Sequence, residues 1–122
     1  MATTRKSPKM HDQADRAIET EIRNIERNPK RFNGKTVELV GFPRHVTNHG
    51  NKIIFDLVDR PGSTSKKPLI VSVDFDNGKV SVRTFRVAQE LLYSAQKINV
   101  KGAVSTDGEA VYVAAVALEK LD

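Results

Sequence analysis

The sequence contains no cysteine, which removes disulfides, thiolate nucleophiles and cysteine-ligated zinc and leaves packing to supply stability. No run approaches the roughly 20 apolar residues that cross a bilayer, so no membrane partner is expected. The opening MATTRKSPKM lacks the apolar centre of a secretory signal, and acidic residues follow from Asp12, which points to a cytoplasmic protein. Ser-His-Asp, phosphate-cradling and His-Glu-x-x-His signatures are also missing, so neither an enzyme nor a bound cofactor is expected.

What is present fits one small domain: 122 residues, 39% apolar and 29% charged. The net charge of +5 is spread unevenly. Residues 44–67 carry Arg44, Lys52, Arg60, Lys66 and Lys67 against Asp56 and Asp59, and residues 79–101 carry Lys79, Arg83, Arg86, Lys97 and Lys101 against Glu90 alone. Arg5, Lys6 and Lys9 make residues 1–11 a basic arm without hydrophobic period. Basic loops and a basic arm suit an anionic partner such as nucleic acid.

Hydrophobic spacing divides the chain into one helix and a series of strands. Ala14, Ile18, Ile22 and Ile25 recur at helical intervals, which predicts a helix over 12–28, capped by Asp12 and ended by Pro29. From Lys35 the period becomes two. Strands are expected over 35–46, with a bend at Gly41 and Pro43, and over 52–59, 68–75, 98–105 and 109–118. A short extension over 79–83 and a helix over 85–96 capped by Thr84 fall between the third and fourth long strands. Three strands, a helix, then two strands is the layout of the OB-fold, a mainly β five-stranded barrel, here over 34–122 behind the N-terminal amphipathic helix.

The segment GKTVELVGFPRHVTNHGNKIIFDLVDRPG resembles the start of the anticodon-binding OB domain of aspartyl, asparaginyl and lysyl class II tRNA synthetases, through Gly34, Val37, Gly41, Arg44, Gly50 and Asp56-Leu57-x-Asp59. INVKGAVSTDGEAVYVAAVALEKL resembles the closing hairpin of that domain. The resemblance implies a free-standing OB module contacting nucleic acid. It also implies an RNA-stacking aromatic on the second strand, at the position that Ile54 occupies here, while Phe55 has core-facing parity.

Strand parity separates two faces. Val37, Leu39, Ile53, Phe55, Leu57, Leu69, Val71, Val73 and Phe75 form the expected interior, and Val40, Ile54, Val58 and Ile70 an apolar outer patch. That patch needs a cover, either the isoleucine stripe of the N-terminal helix or a second copy of the chain. The candidate nucleic-acid-binding residues are Phe42 and Arg44 on the outer face, His45, Asn48, His49 and Lys52 around the first hairpin, Arg60, Lys66 and Lys67 in the next loop, and Tyr112 on the last strand. His45 and His49 lack a third ligand nearby, so no metal site is expected. The expected activity is non-enzymatic binding of single-stranded nucleic acid, DNA or RNA, or of structured RNA, through the basic loops and arm; the alternative is a protein-interaction or homo-oligomeric assembly module using the apolar outer face of the barrel.

Overall fold

The computed structural model describes residues 17–63 and 67–121. In chain order these form β1 (Ile18–Glu19), α1 (Ile22–Arg27), α2 (Pro29–Phe32), β2 (Thr36–Asn48), β3 (Lys52–Val58) and β4 (Leu69–Asp74). A 3₁₀ turn (Phe75–Asn77), α3 (Val82–Glu90), β5 (Ile98–Asp107) and β6 (Ala110–Lys120) follow. β2 pairs antiparallel with β3 and β3 with β4; β4 runs parallel to β6, β6 antiparallel to β5, and β5 antiparallel to β2. The sheet therefore closes on itself as a five-stranded OB barrel with α3 between its third and fourth strands and β1 outside the ring.

Closure depends on β2 serving two neighbours. Residues 36–41 pair with β5, and from Phe42 onward the strand pairs with β3. At the changeover lies Gly41, where a Cβ would come within 2.6 Å of Ile22 Cδ1 and 2.7 Å of the Val58 carbonyl oxygen. The strand then bulges between Arg44 and Thr47, where His45 takes φ 55°. The bend expected at Gly41 and Pro43 thus resolves into a change of partner and a bulge a few residues later, which together curl one long strand around the barrel.

The interior matches the alternation, with one exception. Val37, Leu39, Ile53, Phe55, Leu57, Leu69, Val71 and Val73 are buried together with Ile98, Val100, Val104 and Val113. Phe75 instead belongs to the 3₁₀ turn that follows β4 and is 36% exposed, its ring 5.3 Å from that of Phe85. Asp74 begins that turn by accepting a bond from the Asp76 amide, so strand parity ends one residue early.

Three further expectations change. The helix expected over 12–28 begins, among the described residues, only at Ile22. Ile18 and Glu19 are extended because β2 has no β3 partner at Val37 and Glu38, and β1 supplies the missing backbone bonds there, continued by the Thr20 amide to the Glu38 carbonyl. Pro29 starts a second helix at its first position besides closing the first. Residues 79–83 form no strand: Ser81, not Thr84, caps α3 by accepting from the Thr84 amide, and the helix ends at Glu90. Finally, Ile22 and Ile25 join the barrel core. Of the expected outer patch, Val40 is 44% exposed, Ile54 and Ile70 are half-buried and Val58 is buried.

Candidate functional site

Register across the barrel carries one line of outer-face side chains over four strands. Arg44 lies opposite Asp56, Asp56 opposite Ile70, and Ile70 opposite Tyr112. Residues in register point to the same face, and at about 4.8 Å per strand the line spans at most about 14 Å. Phe42, half-buried, lies two residues from Arg44 along β2, beside the end of the line opposite Tyr112. The parallel row runs from Thr47 through Ile54 and Ser72 to Ala114. Ile54 is half-buried on this face and Phe55 is inside. Two strands away, on β6, Tyr112 is 37% exposed.

The polar groups around this line are partly engaged. Arg44 Nη1 donates to the Ser63 carbonyl at 2.7 Å, which ties the loop between β3 and β4 to β2, while its Nε is buried without a hydrogen-bond partner. His45 Nδ1 lies 3.0 Å from Asp56 Oδ2, and His49 Nε2 lies 3.1 Å from Thr47 Oγ1, so each histidine has its own partner. Among the described residues no cluster of metal-ligating side chains forms. Lys67 Nζ donates to Glu109 Oε1 at 2.9 Å, joining the same loop to the β5–β6 turn. That bond, and then the lysine charge, hold the Glu109 carboxyl below its ordinary range.

Of the residues named from sequence, the structure gathers Phe42, Arg44, His45 and Tyr112 on or beside one face. Asn48, His49 and Lys52 surround the β2–β3 turn, exposed to solvent. Arg60 is exposed in the loop after β3, Lys67 is engaged with Glu109, and Lys66 lies outside the described residues. Ile70 has outer-face parity, but its register with Tyr112, like that of Ser72 with Ala114, depends on the β4–β6 pairing, which alternation along a strand does not encode.

A larger groove, ≈ 710 Å³, opens between β1 and the β2–β5 pair. Glu19, Glu21, Glu38 and Asp59 outnumber Arg23 and Lys97 along it, so it repels a polyanion. Among the described residues no helix is long and apolar enough to cross a membrane.

No family model matches the sequence, and no curated protein matches it. Solved structures do. One chain of asparaginyl-tRNA synthetase from Pyrococcus horikoshii aligns with a TM-score of 0.64 and 21% identity over 84% of this chain and 23% of its own length. An OBody bound to hen egg-white lysozyme aligns with a TM-score of 0.59 and 22% identity, covering 75% of this chain and 83% of that one. The S. pombe Stn1-Ten1 complex contributes a chain at TM-score 0.54 and 16% identity, with 70% and 57% covered. This chain spans under a quarter of the synthetase, so the likeness concerns one domain of it. The closed ring, the intervening helix and these alignments together make this an OB-fold that resembles the anticodon-binding domain of the class II synthetases.

Proposed function

We propose that this OB domain is a non-enzymatic module that binds single-stranded nucleic acid across the outer face of β3, β4 and β6. The observation that supports it is the register line placing an exposed Tyr112 beside Ile70 on a face bordered by Arg44 and Phe42. A base stacks on the Tyr112 ring, and Arg60, Lys52 and the loop cations contact phosphates without selecting sequence. Asp56 is the carboxylate on this line, and His45 Nδ1 lies 3.0 Å from its Oδ2. The structural likeness to a tRNA synthetase and to Stn1-Ten1 agrees with such a ligand. Fluorescence anisotropy with a labelled oligonucleotide tests it: Tyr112→Ala weakens binding by about 1–3 kcal/mol, the value of one stacked base. A wild-type protein that binds no oligonucleotide at low salt would remove the proposal.

A second reading, a protein-interaction surface for a partner or a second copy of the chain, draws on Val40 and on the similarity to OBodies bound to lysozyme. Salt separates the two. Nucleic-acid affinity falls as salt rises because counterion release drives it. Association through apolar surface holds or strengthens.

A further inference from the structure

A second cationic surface lies along α3. Along α3 and the turn that continues it, Val82, Arg83, Arg86, Glu90 and Tyr93 follow at spacings that place them on one helical face. Phe85 and Ala88 face the core, so this stripe faces solvent. Tyr93 is 90% exposed and Val82 56%, the two most exposed large hydrophobic residues among those described. Glu90 is held by Lys120, whereas Arg83 and Arg86 form no ion pair among the described residues. Between α3 and the end of β6 runs a groove of ≈ 560 Å³, lined by Val82, Val87 and Leu118 together with both arginines; Glu119 is the carboxylate on it besides Glu90.

We infer that this α3 face is a second contact surface for single-stranded nucleic acid, with Arg83 and Arg86 on successive phosphates and Tyr93 stacked on a base. The inference rests on the nucleic-acid reading above and extends the bound strand beyond the sheet. Two unpaired guanidinium groups one helical turn apart, beside a ring accessible on its sides, supply the cations and the aromatic that single-strand binding requires. The sheet face offers the aromatic but holds its nearest arginine on a loop carbonyl. An acidic peptide would use the arginines, yet it would leave the Tyr93 ring in water.

Anisotropy with fluorescein-labelled dT oligonucleotides, and in parallel a labelled oligoglutamate peptide, tests the full chain. The double variant Arg83→Gln/Arg86→Gln is expected to flatten the slope of log K against log salt by about 1.4, two phosphates at about 0.7 each for a single strand. Tyr93→Ala is expected to weaken binding about fivefold or more. Arg83→Lys/Arg86→Lys should keep the slope, and circular dichroism should report an unchanged fold for all variants. If the α3 variants bind dT as the wild type does while Tyr112→Ala binds weakly, this inference fails and the sheet-face proposal stands. If the α3 variants weaken binding and Tyr112→Ala does not, the reverse holds. Binding of oligoglutamate that needs Arg83 and Arg86, with dT binding unaffected, would make the face a protein-docking surface and overturn the inference. No dT binding by the wild type overturns both.

Discussion

Gly41 shows how one missing side chain shapes the molecule. The backbone there follows an ordinary extended path, so the glycine is required by space and not by its dihedral angles. A methyl group would press on the end of Ile22, which can turn aside, and on the Val58 carbonyl, which is fixed by the barrel. Gly41→Ala is therefore expected to destabilise by about 1–3 kcal/mol, read as a lower urea midpoint at unchanged m-value. An unaltered midpoint would mean that β2 and α1 part without cost. At His45 the reverse applies, since a non-glycine residue holds the left-handed conformation and its ring reaches Asp56 from there. Histidine is among the side chains that tolerate this region, and the bulge directs Arg44 toward the loop carbonyl it satisfies.

The elements differ in how far local sequence decides them. Strands β3 and β4 were legible because Ile53, Phe55 and Leu57, and Leu69, Val71 and Val73, alternate without interruption and every odd member is buried. The N-terminal segment was legible only in part. Ile18 keeps helical spacing with Ile22, but the unpaired edge of β2 at Val37 and Glu38 draws it into a strand, a demand set by residues twenty positions away. Ser81 and Thr84 are both good caps, and the choice went to the earlier one because Val80 and Phe85 are both buried when the helix starts at Val82. For the loop between β3 and β4, the Lys67–Glu109 pair adds a pH-dependent tie. Its carboxyl is lowered relative to the unfolded chain, so the tie is complete above the ordinary glutamate range and is lost as pH falls through the lowered folded value. Amide hydrogen exchange of the loop is expected to rise on that descent, and also with added salt, because both side chains are exposed. Glu109→Gln should exchange rapidly at neutral pH already.

For the whole molecule, charge is partitioned: carboxylates predominate in the groove beside β1, arginines line the groove at α3, and the outer face of β3, β4 and β6 is of mixed character. Such an arrangement orients an approaching polyanion before contact. The candidate face was half legible, since parity assigned its members but only the parallel β4–β6 pairing brings Tyr112 beside Ile70. The α3 face was not legible, because residues 79–83 read as a strand and separated Arg83 from Arg86. The same ring that assembles these surfaces also sets the pace at which the chain finds its native state. The seam between β2 and β5 pairs residues 36–41 with residues 98–103, a long-range contact in sequence. Much of the loop-closure entropy is lost before those contacts compensate, so refolding belongs in the millisecond-to-second range typical of small β-barrels. Stopped-flow refolding from urea measures it, and completion within microseconds would mean that local structure, not the seam, limits the rate.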